Sequence, residues 1–179
     1  LDPLPPLSLY VHLPWCEKKC PYCDFNAYAK RGPLPEAAYL QALQAEFMAC
    51  KPIWTNRRIV SLYFGGGTPS LCSPGMIGGM IDCIHQAVGI DAGAEITLEA
   101  NPGTVDHAHF SGYLKAGVNR LSLGIQSFNH LHCTKLHESF IDSLLSNFIT
   151  DKGGSYFTQK DKIYLSIYWF FSMKHSIIY

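Results

Sequence analysis

Short apolar segments rich in β-forming residues recur along the chain, and a stretch with helical periodicity follows each of the first three. The strand-like segments are LSLYVHL at 7–13, IVSLYF at 59–64, AEITL at 94–98 and RLSLGI at 120–125. Their length, their β-branched and aromatic content and the turn residues at their ends predict buried β-strands.

Three helices are predicted between these strands. The first runs from about Pro35 to Cys50, the second starts at Ser73 as N-cap with Pro74 in its first turn, and the third spans about 104–116 and ends at Gly117. The apolar faces comprise Leu40, Leu43, Phe47 and Cys50 in the first helix and Ile77, Ile81, Ile84 and Val88 in the second. Alternating strands and helices with short connections predict an α/β fold with a parallel sheet and right-handed crossovers.

Each unusual polar or glycine cluster lies directly after a predicted strand. A group of cysteines follows the first strand, Gly65–Pro69 the second, Glu99 the third, and Gln126 with Ser127 the fourth. Ligands of parallel α/β sheets and barrels bind at the carboxyl ends of the strands, which share one edge. We therefore expect these segments to form one site.

The segment PWCEKKCPYCDF contains three cysteines with the spacing C-x3-C-x2-C, namely Cys16, Cys20 and Cys23. A structural zinc ion takes four protein ligands and a disulfide uses two, whereas three thiolates leave one iron of a 4Fe–4S cluster open for an exogenous ligand. A zinc site completed by His12 or Asp24 and a set of free buried thiols are the alternatives.

The composition indicates a globular protein of one domain. Of the 179 residues, 47% are hydrophobic and 16% are charged, and 14 Lys plus Arg balance 14 Asp plus Glu. A neutral chain has no net field to attract nucleic acid or an anionic membrane. The odd count of 7 cysteines argues against a disulfide framework, and we find neither a signal-peptide pattern nor an apolar run long enough to cross a bilayer. We expect a cytoplasmic protein without an integral membrane segment.

Four sequence segments together resemble the radical S-adenosylmethionine (SAM) superfamily, and within it the oxygen-independent coproporphyrinogen III oxidases and their paralogues, the HemW heme chaperones. The segments are YVHLPWCEKKCPYCDFN, YFGGGTPSL, ITLEANPGT and NRLSLGIQSFN. The resemblance runs from about Pro5 to Leu136 and implies a partial (β/α)6 barrel cut after about four strand–helix units. Residues 1–138 would be the N-terminal part of the radical SAM core domain, and 139–179 a divergent tail in which we predict no further strand–helix unit.

The resemblance also implies the cofactors and their ligands. Cys16, Cys20 and Cys23 would hold a 4Fe–4S cluster whose open iron binds SAM, and an external donor would supply the electron for reductive cleavage to methionine and a 5′-deoxyadenosyl radical. Heme would be a further ligand, passed to acceptor hemoproteins. The implied SAM contacts are Gly66, Gly67 and Thr68 at the methionyl end, and Tyr10, Tyr22, Glu99 and Gln126 at the nucleoside.

Two departures from the family pattern select among its branches. Phe25 stands where the oxidases carry a further cysteine, which favours a HemW-like chaperone over a coproporphyrinogen III oxidase. His137 and Glu138 stand where the family usually has a Gly–Arg pair that contacts SAM. A radical SAM enzyme of another class, such as a tRNA modifier, is the third reading.

The remaining cysteines and histidines have simpler interpretations. Cys50 and Cys83 lie on apolar helical faces and are predicted core residues, Cys72 precedes a helix, and Cys133 has no partner pattern. Three histidines near the end of the resemblance are candidate heme ligands or surface residues: His130, His132 and His137.

A parallel sheet that ends after four strands would expose one backbone edge. Because the tail lacks turn chemistry, we do not expect it to cover that edge. The sequence therefore predicts a self-associating chain with weak SAM cleavage.

Overall fold

The computed structural model describes residues 5–21, 23–54, 56–101, 107–125 and 164–169. The strands are β1 (Leu7–Leu13), β2 (Trp15–Cys16), β3 (Tyr28–Ala29), β4 (Ile59–Gly66), β5 (Ile90–Ala100), β6 (Arg120–Ile125) and β7 (Tyr164–Trp169). The helices are α1 (Glu36–Ala49), α2 (Lys51–Trp54), α3 (Pro74–Ala87) and α4 (His107–Lys115), with a 3-10 turn at Pro69–Leu71.

Five strands form one parallel sheet in the order β1-β4-β5-β6-β7, and β2 and β3 form a separate two-residue pair. The predicted α/β class with a parallel sheet is confirmed. All four predicted strands are present, and β5 extends the predicted 94–98 segment to Ile90–Ala100. The three predicted helices are also present, within a few residues of their expected bounds.

The fifth strand of the sheet, β7, corrects our interpretation of the tail. It pairs in parallel with β6, in a register that runs from Arg120 opposite Tyr164 to Ile125 opposite Trp169. The expectation that the tail would leave this edge uncovered is therefore wrong. A parallel edge strand requires β-forming residues and a neighbouring strand with an unpaired backbone edge. Neither requirement involves turn residues close to the strand, so the absence of turn chemistry in the tail was a poor guide.

The two faces of the sheet differ in chemistry because successive side chains point to opposite sides. One face packs into the hydrophobic core and includes Val11, Leu13, Leu62, Phe64, Ile96, Leu98, Leu121 and Leu123. The buried residues of α3 belong to the same core: Met76, Ile77, Met80, Ile81 and Ile84. The opposite face is polar and includes Tyr10, His12, Tyr63, Thr97, Glu99, Arg120 and Ser122. In a barrel, the face away from the helices is the interior, so the polar side chains line the place where a ligand would lie.

A shared cap joins α1 to α3. The hydroxyl oxygen of Ser73 accepts a hydrogen bond from Met76 N at 3.2 Å, which is the predicted N-cap. Glu36, in the first turn of α1, accepts hydrogen bonds from the Ser73 backbone N–H at 2.9 Å and from its hydroxyl. One carboxylate thus fixes where α3 begins relative to α1, and this sets the position of the 69–72 segment that leads into α3.

The cysteines outside the cluster motif lie in or against the core. Cys72 is buried, and Cys50 and Cys83 are half-buried and pack on the core, as predicted. Burial, with a smaller effect from the negative charge of Glu36, raises the pKa of the Cys72 thiol to about 12. Cys133 lies outside the described residues. Among the residues that are described, none of the helices has the length and apolar character needed to cross a membrane.

Candidate functional site

Backbone hydrogen bonds close the cysteine loop at its base. Tyr28 N donates to Pro14 O at 2.7 Å and Lys30 N donates to Cys16 O at 2.8 Å, so the chain leaves and re-enters the loop side by side. Within the loop, Cys23 N donates to Cys20 O at 3.1 Å. The three cysteines therefore lie on a short, closed segment directly after β1.

Helix α1 supports this base from the side. The Tyr39 hydroxyl donates to His12 O at 3.0 Å, and the Tyr39 ring packs edge-on against Trp15 with 4.5 Å between ring centroids. Trp15 directly precedes the first cysteine of the motif, so its packing on α1 fixes the position of Cys16 at the base of the loop.

The three thiols differ in exposure but are close enough to interact. Cys16 and Cys23 are half-buried, Cys20 is exposed, and none of them is in a disulfide. Burial raises the pKa of Cys16 above its usual value, and negative charge on Cys23 and Cys20 raises it further. The thiols thus lie near enough for their negative charges to repel one another, and the irons of a cluster would place positive charge beside each of them.

The zinc alternative receives no support from the described residues, in which no three His, Cys, Asp or Glu side chains converge to hold a single metal ion. His12, one of the two candidate fourth ligands, is engaged through both ring nitrogens: Nε2 lies 2.8 Å from Asn26 O and Nδ1 lies 3.0 Å from the Tyr10 hydroxyl. In a 4Fe–4S cluster each thiolate binds a different iron, so its cysteines need not converge on one point. With both ring nitrogens engaged, His12 offers no lone pair for a fourth bond to zinc.

The glycine loop after β4 is hydrogen-bonded to the start of the cysteine loop. Gly67 N donates to Leu13 O at 2.8 Å and Thr68 N donates to Trp15 O at 2.6 Å. A Cβ atom on Gly67 would lie 2.5 Å from Trp15 O, and one on Gly66 would lie 2.7 Å from the His12 ring. Gly66 also has φ +123°, a conformation that side chains rarely permit. Glycine is thus required here because the loop packs flat against β1 and the cysteine segment.

Thr68 connects the two loops through its side chain as well. Its side-chain hydrogen bond with Cys16 lowers the pKa of that thiol, opposing the larger effect of burial. A hydroxyl group that donates to a thiolate stabilises its charge. Thr68 therefore reaches the first cysteine of the motif from a different strand–helix unit.

Glu99 binds the glycine loop from the other side. Its Oε1 accepts a hydrogen bond from the Tyr63 hydroxyl at 2.8 Å, and its Oε2 accepts one from Gly66 N at 3.1 Å. Gly66 is the last residue of β4, and its backbone N–H needs a hydrogen-bond acceptor. The carboxylate at the end of β5 supplies that partner and is held half-buried on the polar face of the sheet.

Tyr10 borders the same polar face and remains 53% exposed. Its ring stacks on Tyr63 with 6.1 Å between centroids and an interplanar angle of 19°. Burial of part of the ring, and then the negative charge of Glu99, raise the pKa of the Tyr10 hydroxyl. Since Asn26 O can only accept, the Nε2 of His12 is the donor in that bond, which leaves Nδ1 to pair with the Tyr10 hydroxyl.

The structure thus brings most of the sequence-predicted site residues to one end of the sheet. The residues that meet there are Tyr10, Cys16, Cys20, Cys23, Gly66, Gly67, Thr68 and Glu99. Several predicted residues lie outside the described part of the chain: Tyr22, Gln126, His130, His132, His137 and Glu138. The sequence analysis missed Tyr63 and gave His12 only a zinc role, although the alternation of side chains along β1 and β4 places both on the polar face.

A comparison with protein families identifies the family of this chain. Residues 10–143 match the family described as "Radical SAM superfamily", which covers more than half of the chain. The chain belongs to the radical SAM superfamily. Members of this superfamily in general use a 4Fe–4S cluster and SAM.

Individual relatives agree with this assignment. The chain is 50% identical over 130 residues to the heme chaperone HemW of Haemophilus influenzae, covering 70% of this chain and 34% of the relative. It is 47% identical over 126 residues to the heme chaperone HemW of Escherichia coli, covering 70% of this chain and 33% of that protein. The chain therefore spans about a third of the length of the curated relatives it matches.

A solved structure has the same fold. The chain superposes on coproporphyrinogen III oxidase from Escherichia coli, which is described as a radical SAM enzyme, with a TM-score of 0.70 and 33% sequence identity. The match covers 79% of this chain and 33% of that one. The partial radical SAM barrel predicted from the sequence is confirmed as the fold.

Proposed function

We propose that this chain is the cluster- and SAM-binding part of a HemW-like heme chaperone, a protein that delivers heme to hemoproteins. The observation that carries the proposal is the joint between the cysteine loop and the glycine loop, in which Gly67 N bonds the Leu13 carbonyl and Thr68 N bonds the Trp15 carbonyl. Such a joint fixes a metal-binding segment beside the loop that follows the neighbouring strand, at the carboxyl ends of the strands where ligands of parallel sheets bind. The similarity to two HemW proteins supports the specific assignment.

Cys16, Cys20 and Cys23 would hold the 4Fe–4S cluster through three thiolates. Their separate positions on a closed loop suit a ligand with several metal atoms. When bound, the cluster would supply an electron to cleave a carbon–sulfur bond of SAM. The part of the protein in this is to hold the cluster against SAM and to exclude water and oxygen.

SAM would lie over the polar face at the carboxyl ends of the strands. The backbone of Gly66, Gly67 and Thr68 would face its methionyl end, and the Glu99 carboxylate would accept hydrogen bonds from the nucleoside hydroxyl groups. Tyr10, with half of its surface exposed beside Glu99, would flank the nucleoside. Tyr22 and Gln126 complete the proposed contacts from the sequence pattern alone.

An oxygen-independent coproporphyrinogen III oxidase is the second candidate, and it is supported by the structural match to the Escherichia coli enzyme. Phe25 disfavours it. This side chain is 60% exposed on the cysteine loop, at the position where the oxidases carry a further thiol, so the loop lacks that thiol. A tRNA-modifying enzyme is a third candidate, for which the balance of 14 basic and 14 acidic residues gives no electrostatic support.

We also propose partners and a compartment for the protein. The cluster requires an external electron donor, and the chaperone role requires heme and an acceptor hemoprotein. We propose the cytoplasm as the compartment because the six cysteines of the described residues are all free thiols, as a reducing environment maintains them. One of the His130, His132 and His137 side chains would be the candidate axial ligand for heme.

Heme titration together with anaerobic reconstitution tests the proposal. The chain is loaded with iron and sulfide, its spectrum is recorded with and without SAM, and heme is then added in increments. A HemW-like protein should bind SAM and heme and should release no decarboxylated product from coproporphyrinogen III. Product formation above a cluster-free control would favour the oxidase, and SAM binding without heme binding would favour another radical SAM enzyme.

A further inference from the structure

The carboxylate of Glu99 is held in place by a residue that belongs to a neighbouring strand. Tyr63 on β4 lies opposite Thr97 on β5 in the strand register, so Glu99 lies two residues further toward the carboxyl end of the sheet. This diagonal separation is within reach of a long side chain. The Tyr63 hydroxyl spans it and donates to Glu99 Oε1 at 2.8 Å.

Two hydrogen bonds to two different oxygens fix both the position and the rotation of the carboxylate. The second comes from Gly66 N to Oε2 at 3.1 Å. An ionised carboxylate accepts about four hydrogen bonds, so this arrangement leaves capacity for further donors. Hydroxyl groups of a ribose are such donors, and an acidic residue at the carboxyl end of a parallel strand is a recurrent partner for them.

The ring of Tyr63 is held independently of its hydroxyl group. It stacks on Tyr10, and a Cβ atom on Gly65 would lie 2.9 Å from Tyr63 Cε1, so the ring packs directly beneath the glycine loop. Phenylalanine would keep this packing and would lose the bond to Glu99. The hydroxyl group is therefore the part of Tyr63 that acts on the carboxylate.

We propose that Tyr63 is a positioning residue for nucleoside recognition: its hydroxyl group orients Glu99 so that the carboxylate accepts from the ribose hydroxyl groups of SAM. This inference rests on the proposed function, because it takes SAM as the ligand. It adds a residue from β4 that acts on the ligand through Glu99. The affinity for SAM should thus depend on the Tyr63 hydroxyl only when both Glu99 and the ribose hydroxyl groups are present.

The test is the affinity of the iron- and sulfide-loaded chain for SAM and for its 2′-deoxy and 3′-deoxy forms, measured by calorimetry. In Tyr63→Phe we expect SAM to bind roughly three- to tenfold more weakly, the effect of losing one ordinary hydrogen bond. For at least one deoxy form, Tyr63→Phe should reduce the affinity less than it does for SAM, because that form lacks a hydroxyl group that Glu99 would bind. In a Glu99→Ala background, Tyr63→Phe should change the affinity for SAM by less than about twofold, since the pair acts as a unit.

Tyr113→Phe is the matched control. Its hydroxyl group donates to Ser70 O at 3.0 Å and Cys72 O at 2.7 Å, so this change removes a buried tyrosine hydroxyl near the same loops without touching Glu99. It should lower the melting temperature and leave the ratio of SAM to deoxy-SAM affinities unchanged. Equal losses for SAM and both deoxy forms in Tyr63→Phe, or no loss for SAM, would overturn the positioning role while the proposed function stands. If the loaded wild-type chain binds no SAM, both fail.

Discussion

Thr68 N donates to Trp15 O at 2.6 Å, and this bond joins the loops of two different strand–helix units. Together with the bond from Gly67 N to Leu13 O, it makes the glycine loop a continuation of the β1–β4 pairing beyond the ends of both strands. The position of the first cysteine therefore depends on the glycine loop, although the two are far apart in sequence. Several expected outcomes depend on this joint.

Substitution of Gly67 should disturb the cysteine loop. An alanine Cβ would lie 2.5 Å from Trp15 O and 2.7 Å from Trp15 C, and backbone atoms cannot move aside cheaply. We expect Gly67→Ala to lower the free energy of unfolding by about 1–3 kcal/mol, the usual cost of overpacking, and to reduce the iron retained after reconstitution. Urea titration and iron analysis would measure the two effects.

Gly93→Ala is the control for this prediction. Nothing lies within 4 Å of a Cβ atom at that position, and Gly93 is exposed on β5. Its effect on stability should stay within about 0.5 kcal/mol. If Gly67→Ala and Gly93→Ala behaved alike, the close packing of the two loops would not exist in solution.

Only three of the cysteines should be needed for iron. Cys16→Ala, Cys20→Ala and Cys23→Ala should each lose most of the iron bound after anaerobic reconstitution, because a cluster held by two thiolates is labile. Cys50→Ala and Cys83→Ala should keep it, since these half-buried residues pack on the core. Undiminished iron in any of the first three variants would contradict the ligand assignment.

The hydrogen bond between Thr68 and Cys16 should tune the cluster. A donor to a cysteine sulfur stabilises the more negative, reduced state, so its loss should make the reduction potential more negative. We expect Thr68→Val to show this shift and Thr68→Ser, which keeps a hydroxyl group, to show little of it. A redox titration followed by electron paramagnetic resonance, carried out without SAM, measures both; equal potentials for the two variants would exclude the tuning role.

Alkaline pH should destabilise the fold through Cys72. Its pKa is about 12 in the folded chain against an ordinary value of 9.0, because burial disfavours the thiolate. Between these values the unfolded state has released a proton that the folded state keeps, so stability falls as pH rises, by at most about 1.4 kcal/mol per unit.

Cys72→Ala isolates this effect. The variant should be less stable at about pH 8 because it leaves a cavity, but its urea midpoint should decline less steeply toward about pH 10.5 than that of the wild type. The variant keeps the raised pKa of Cys83 and the larger, burial-caused part of the raised pKa of Tyr39, so the difference in slope reports Cys72 together with the smaller effect of its charge on Tyr39. Parallel slopes would show that the Cys72 thiol is not shielded from solvent.

Local pattern predicted the strands and helices well because each of them has its own periodicity and end signals. The capping of α3 by Ser73 and the end of α4 just before Gly117, which has φ +105°, needed no information from elsewhere in the chain. The β2–β3 pair was missed because each of its strands has only two residues, too few for a pattern. The role of Tyr63 was missed because it depends on strand register, which the sequence does not state.

The candidate site was predictable to a different degree in each part. Cysteine spacing identified the metal-binding segment directly, since its ligands are close in sequence. From the sequence, the triple glycine was attributed to contact with a ligand. In the structure, the space left by the missing side chains of Gly66 and Gly67 is filled by His12 and Trp15. Such a contact joins two distant segments, and no local pattern can distinguish it from a ligand contact.

The strand β7 should protect the edge of β6 from other chains. It pairs with β6 along all six residues of that strand, so its removal would expose a row of unpaired backbone groups. A chain that ends at residue 138 should therefore self-associate more strongly than one that ends at residue 169, which keeps β7. Size-exclusion chromatography with light scattering, across a concentration series, compares the two. If both variants elute as equally well-behaved monomers, β7 does not cover the edge in solution; strong association of the shorter chain alone would show that it does.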